Sequence, residues 1–448
     1  MVSKMLVLIL IVISSWAQAN VKAYFNHNPN SQYTDPYRNI HRGGDNLEQV
    51  ILDQIKSAKK SIFLAVQELR LPLVAQALID KKNEGLDVRI ILEHDYNFTV
   101  LTGRDPIDEN EYEVTKLNEL RALVDINRDG KFSKDELQQR DAIYMLSKSE
   151  VEIMDDTYDS SRGSGLMHHK FMVVDGKSVL VSTANFTLSC IHGDMLVKTS
   201  RGNANSVVVV NSTAVGKAFS DEFSQMWGNG KRGNFGHNKT YRGPQTFTVR
   251  NTKITVQFSP TSARYNWEES VNGLIGAELA KAKKSVQALL FVFSDQKISN
   301  LLEKKSQKGV NVGFIIEPKF AYREYSELLD LLGVQLLDAK CSYEPDNNPW
   351  KSPLASGGMA LLSKGDVLHH KFAVVDGKTV VVGSQNWSDA ANYVNDETLI
   401  VIEDKEISDQ YGQEYERVQK NALMGVPAYL KKEIKRLETE CTDRGLYF

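Results

Sequence analysis

The chain repeats itself, and the repeat calls for two similar halves. Residues 58–69 read AKKSIFLAVQEL and residues 282–293 read AKKSVQALLFVF. Each follows a stretch of helical period and enters an apolar, strand-like run. A helix-like segment comes next in both copies, 71–84 and 297–308. A Gly ends each helix and a strand restarts at once, GLDVRIILE over 85–93 and GVNVGFIIE over 309–317. The copies meet again at 167–185, MHHKFMVVDGKSVLVSTAN, and 368–386, LHHKFAVVDGKTVVVGSQN. Strand, helix, strand and hairpin thus recur in this order, twice over. A length of 448 residues also exceeds what one ordinary core holds.

Between the meeting points the first copy is the longer, with 94–166 set against 318–367. That interval contains Asp125-Ile-Asn127-Arg-Asp129-Gly130-Lys131-Phe-Ser133-Lys-Asp-Glu136. Side-chain oxygens at the first, third and fifth positions, Gly at the sixth and Glu at the twelfth make the pattern of an EF-hand calcium loop. Lys131 would give its backbone carbonyl, Ser133 could hold a water, and Glu136 could bind through both oxygens. Segments 113–123 and 134–145 are expected to flank it as helices, within an insertion at about 110–147. A lone hand of this kind is expected to brace the fold, since sensors depend on pairs.

The chemistry-bearing residues lie in the second shared segment. Side chains alternate along a strand, so His168 and Lys170 share a face while His169 points away. The second copy repeats this with His369 and Lys371, leaving His370 on the other face. Asp175-Gly176 and Asp376-Gly377 mark hairpin turns, so both Asp are read as structural. The return strands end near Asn185 and Asn386, each the same distance beyond its His. Two His, two Lys and two Asn can then surround one spot if the halves pack face to face. Lys and Asn donors suit the non-bridging oxygens of a phosphate. One imidazole can attack phosphorus and the other can protonate the leaving oxygen, with no metal needed.

These segments resemble the paired H-x-K-x4-D-x6-G-S-x-N motifs of the phospholipase D superfamily. The second copy matches throughout; the first has Ser182-Thr183 where the pattern has Gly-Ser. The resemblance implies two α/β sandwich domains related by a pseudo-twofold axis, similar to the bacterial endonuclease and cardiolipin-hydrolase branch fused in tandem. It also implies a covalent phosphohistidine and a supporting group after each motif that crosses to the opposite half. Glu397 matches that position in the second copy. In the first copy Asn205 matches it, with Asp194 as a rival. On this reading Glu397 supports His168 as nucleophile, and Asn205 supports His369 as general acid.

The N-terminus reads as a secretory signal: Lys4, an apolar run Met5–Ile13, and Ala17-Gln18-Ala19 as a cleavage site. Removal of 1–19 leaves a first domain over 20–245 and a second over 246–448, in a secreted or periplasmic protein. Of the three cysteines, Cys341 and Cys441 lie in the second half and are the favoured pair over any with Cys190. A formal charge of −3 offers no global attraction to nucleic acid. Lys231, Arg232, Lys239 and Arg242 sit in a Gly/Asn-rich stretch, 228–244, expected to be a solvated linker. Hydrolysis of phospholipids, with peripheral membrane contact, is therefore the leading expectation. A secreted nuclease of the same chemistry is the alternative. A phosphate-binding scaffold fits poorly with two intact trios. Calcium is the one expected cofactor.

Overall fold

Each repeat folds around its own mixed sheet. The computed structural model describes residues 20–103, 111–159 and 165–445; the expected signal segment, 1–19, lies outside them. The first sheet contains β1 (Val21–Phe25), β2 (Ser61–Val66), β3 (Asp87–Leu92), β4 (Glu152–Asp155), β5 (Lys170–Val174), β6 (Ser178–Ser182) and β7 (Ser206–Asn211), in the order β1-β7-β6-β5-β2-β3-β4. The second contains β8 (Gln245–Val249), β9 (Thr252–Phe258), β10 (Ser285–Leu290), β11 (Asn311–Ile316), β12 (Gly357–Met359), β13 (Lys371–Val375), β14 (Thr379–Gly383), β15 (Thr398–Glu403) and β16 (Leu423–Met424). Its order is β8-β9-β15-β14-β13-β10-β11-β12-β16.

The same register logic governs both. β2 and β3 run parallel, as do β10 and β11, so each pair needs a crossover helix. These are α2 (Pro72–Asn83) and α7 (Gln296–Gln307), the latter numbered after α1 (Leu47–Ser57), α3 (Glu111–Val124), α4 (Lys134–Arg140), α5 (Thr213–Trp227) and α6 (Val271–Ala280). Gly85 and Gly309 take φ of 90° and 84° just past the crossover helices, a conformation that suits Gly. The hairpins β5–β6 and β13–β14 then pair antiparallel with β2 and β10 through their first strands.

Three apolar clusters define the layers. α1 and α2 cover the outer face of the first sheet, and α6 and α7 that of the second. The central cluster joins the inner faces of both sheets, Phe171 and Val208 with Phe372 and Ile400, through α5 and α8 (Lys405–Gln419). The halves also touch through backbone: Met167 bridges Asp396, and Ala204 bridges Leu368. Cys341 is bonded to Cys441 on the C-terminal helix α9 (Ala428–Asp443), and Cys190 is free and buried. No helix of the described residues is long and apolar enough to cross a membrane.

Two expectations need correction. The helix expected over 134–145 breaks at Asp141, whose buried carboxylate accepts from Val100 N–H at 2.7 Å and Tyr144 N–H at 3.0 Å and so starts a new helix, Ala142–Ser147. The 228–244 stretch is not a simple solvated linker. Lys231 and Arg232 are exposed, but the Lys239 side chain is only 6% exposed and its Nζ lies 2.5 Å from Glu222 and 2.6 Å from Asp396. Arg242 adds a second cation on Glu222. Glu222 belongs to the first half and Asp396 to the second, so Lys239 clamps the halves together. Burial opposes the Lys239 charge, yet the two carboxylates hold its pKa above the usual lysine value.

Removing one member of a buried ion network leaves the others uncompensated. Lys239→Met should therefore cost about 3–5 kcal/mol in denaturant unfolding. A loss below about 1 kcal/mol, the range of a surface pair, would contradict the clamp.

Candidate active site

Both His-x-Lys segments end at the seam between the halves. His168 N–H donates to Asp396 O at 3.0 Å, and His369 N–H donates to Ala204 O at 3.0 Å. Each backbone is thus held by the opposite half. The side chains cross in the same way. His168 Nδ1 lies 2.7 Å from Glu397 Oε2, and His369 Nδ1 lies 3.1 Å from Asn205 Oδ1. Asp194 does not support His369; its carboxylate caps its own loop, accepting from Leu196 and Val197 N–H.

The hydrogen-bond network fixes the tautomers. Asn205 donates its amide N–H groups to Cys190 O and Asn203 O, so its oxygen must face His369. That oxygen also accepts from Thr183 Oγ1 at 2.9 Å. On the other side Ser384 Oγ donates to Glu397 Oε2 at 2.6 Å. Thr183 therefore does for Asn205 what Ser384 does for Glu397, which absorbs the departure at Ser182-Thr183. Both imidazoles carry their proton on Nδ1 and turn Nε2 toward the site.

Lys170 and Lys371 are buried, and each Nζ donates to the carbonyl of its own His at 2.9 Å. Lys170 also meets Gln67 Oε1 at 3.2 Å, and Lys371 lies 4.7 Å over the Phe291 ring. The side-chain oxygens of Asn185 and Asn386 are buried without a hydrogen-bond partner. Two cations in an enclosed site repel further positive charge. Burial first, then Lys170 and Lys371, hold both His168 and His369 well below the ordinary 6.5. Burial pushes Lys170 down to about 8 and Glu397 up to about 7.

His169 and His370 face away from the site. His169 Nδ1 lies 2.7 Å from Thr398 Oγ1, and its Nε2 lies 3.3 Å from Glu222. His370 Nε2 lies 2.8 Å from Glu414 on α8. Asp175 and Asp376 hold left-handed turns with φ of 54° and 53°. Each carboxylate accepts three backbone N–H groups at the head of the neighbouring strand, Lys59 to Ser61 and Lys283 to Ser285.

Two positioning residues escaped the sequence reading although both end a repeated segment. Glu93 Oε2 accepts from Met167 N–H at 2.6 Å, and Glu317 Oε2 accepts from Leu368 N–H at 2.7 Å. Each carboxylate holds the peptide just before a site His. Their matched place in GLDVRIILE and GVNVGFIIE was the available signal.

In the insertion, Arg128 and Gly130 take φ of 61° and 77°. Asp125 accepts from Asp129 and Gly130 N–H, Asn127 from Asp129 N–H, and Asp129 from Lys131 N–H. The Glu136 carboxylate accepts from Ile126, Asn127 and Ser133 N–H and from Ser133 Oγ, closing a capping box at α4. The donor set is all oxygen and suits calcium. Binding through both Glu136 oxygens would require it to exchange some of those contacts.

Residues 51–227 and 275–419 match the family model described as cardiolipin synthase, PLD-like domain. The mitochondrial cardiolipin hydrolase of Canis lupus familiaris is 29% identical over 153 residues, covering 34% of this chain and 51% of that protein. A phospholipase D of Rickettsia conorii is 26% identical over 164 residues, 37% of this chain and 68% of that protein. The chain spans about half the length of the cardiolipin hydrolases it matches. Among solved structures, the phosphatidylserine synthase of Haemophilus influenzae shares the fold with a TM-score of 0.57 at 11% identity, covering 95% of this chain and 93% of that one.

The site's charge sets an expected pH profile. An attacking imidazole must be neutral and a proton-donating one charged. Both His values are depressed, so the charged form persists only at acid pH. The optimum of kcat/KM should lie below pH 6.5, the ordinary imidazole value, with the rate falling about tenfold per unit above the depressed acid value. Lys371→Met should slow the reaction and move the falling limb to higher pH, because a repelling charge is gone. An optimum at pH 8 or above in the unaltered protein would contradict the charge assignment.

Proposed function

For a chain that belongs to the PLD-like family, we propose the role of a secreted phosphodiesterase that hydrolyses phospholipids through a phosphohistidine. The crossed pairing of His168 with Glu397 and His369 with Asn205 carries this reading. It presents two Nε2 atoms with non-equivalent support to one enclosed, cationic spot.

The chemistry balances within the protein groups. His168 Nε2 donates its lone pair to phosphorus while the bond to the leaving oxygen breaks. A protonated His369 gives that oxygen its Nε2 proton. Lys170, Lys371, Asn185 and Asn386 hold the non-bridging oxygens through the transition state. Glu397, driven to its carboxylate form by the positive charge that forms on His168, offsets that charge. Water then attacks phosphorus, His369 takes its proton, and the P–N electron pair returns to His168. A bound phosphodiester anion would also counter Lys170 and Lys371, raising both imidazole pKa values so that His369 can take up from solvent the proton it donates.

Phospholipid is favoured as substrate by the relatives, which bear the names cardiolipin hydrolase and phospholipase D, and by a chain with net charge −3. Calcium in the Asp125–Glu136 loop has a structural role in this scheme and takes no part in the chemistry. The signal-like pattern over 1–19 supports export, to surroundings where calcium is abundant.

Purified protein assayed in parallel on anionic phospholipid vesicles and on plasmid DNA tests the substrate class. Vesicle phospholipid should be cleaved and plasmid spared, and His168→Ala should abolish the lipid activity. Nicked plasmid with intact vesicles would replace the lipid reading by the nuclease one.

A further inference from the structure

A cavity of about 550 Å³ is lined in part by residues that neighbour the site segments along the chain. One side of it continues from catalytic residues. Glu68 follows Gln67, which meets Lys170, and Thr187, Leu188 and Ser189 follow Asn185. Another part of the lining comes from the insertion: α3 contributes Lys116, Leu117, Glu119, Leu120 and Leu123. Tyr96 and Phe98 line the space between.

The lining is mixed in a way that matters. Lys116 Nζ lies 2.7 Å from Glu68 and 4.6 Å over the Tyr96 ring, and its charge is among those that depress both His168 and His369. Its field therefore reaches the place where phosphate would sit. The leucines offer an apolar wall. The carboxylates of Glu68 and Asp95 on the same surface disfavour a polyanion. Burial, with Asp194 nearby, pushes Glu119 up to about 8, so it faces the cavity largely protonated at neutral pH.

α3 runs without a break into Asp125, whose N–H still bonds to Arg121 O. Leu120 and Val124 of α3 pack against Leu137 of α4 and Val100 of the segment after β3 in a small apolar cluster of their own. The two helices that flank the calcium loop are thus one packed unit, and the pose of that unit sets the cavity wall. We infer that α3 is a substrate-binding wall, with Lys116 meeting the anionic phosphodiester, Leu117 and Leu120 meeting the acylated part of a lipid, and calcium in the adjoining loop holding the helix in place. The inference rests on the phospholipid reading above.

Steady-state kinetics on two probes test it: monomeric dihexanoylphosphatidylglycerol, and bis-p-nitrophenyl phosphate, which has no acyl chain. Lys116→Gln should raise KM for the lipid roughly tenfold, with kcat changed less than about threefold. Calcium removal from the unaltered protein should raise the same KM, and Glu136→Gln should reproduce that effect with calcium present. Calorimetric calcium titration and melting curves accompany each sample. A lipid KM that stays constant in Lys116→Gln, or between calcium-loaded and calcium-free protein, overturns the wall; absence of calcium binding overturns the coupling. Cleavage of the nitrophenyl diester without any cleavage of the lipid overturns the phospholipid reading itself.

Discussion

Each imidazole of the site is oriented by a side chain from the opposite half of the molecule. Glu397 of the second half holds His168 of the first, and Asn205 of the first holds His369 of the second. Neither half can assemble a competent imidazole alone, so the packing of the two sheets is a condition of the chemistry. The rest of the seam serves that condition. The bridges at Met167–Asp396 and Ala204–Leu368 fix the register, and α5 and α8 fill the space between the sheets. Lys239 spans the seam to hold Glu222 and Asp396 at once.

The symmetry of the fold is broken where the roles diverge. A carboxylate and an amide both accept an Nδ1 proton, but only the carboxylate can balance a charge formed on its imidazole. The insertion breaks the symmetry again, because α3 and the loop after it belong to the first half. On the proposed reading, a fold with two similar halves assigns attack on phosphorus to one imidazole and proton donation to the other.

Much of this was legible in the sequence because repetition exposes it. The two HHK segments, the Asp-Gly turns and the trailing Asn residues were readable from local spacing and strand alternation. The fold class came with the family resemblance that those motifs carry. What stayed hidden depends on contacts between distant segments. Lys239 in a Gly/Asn-rich stretch has the local signature of a solvated residue, and only the folded chain brings it between Glu222 and Asp396. Glu93 and Glu317 were visible as matched letters, but their bonds to Met167 and Leu368 N–H are tertiary. Asp141 interrupts a helical pattern because its carboxylate finds Val100 N–H, far away in sequence. The choice of Asn205 over Asp194 likewise awaited the geometry, since spacing alone left both open.

The central claim is that the crossed supports make the two imidazoles unequal, with His168 attacking phosphorus. Mass spectrometry of enzyme quenched during turnover of a nitrophenyl phosphodiester tests this most directly. The account predicts a phosphoryl adduct on His168, still formed in His369→Ala because that leaving group departs without protonation. An adduct on His369 in the unaltered protein would reverse the roles and contradict the account.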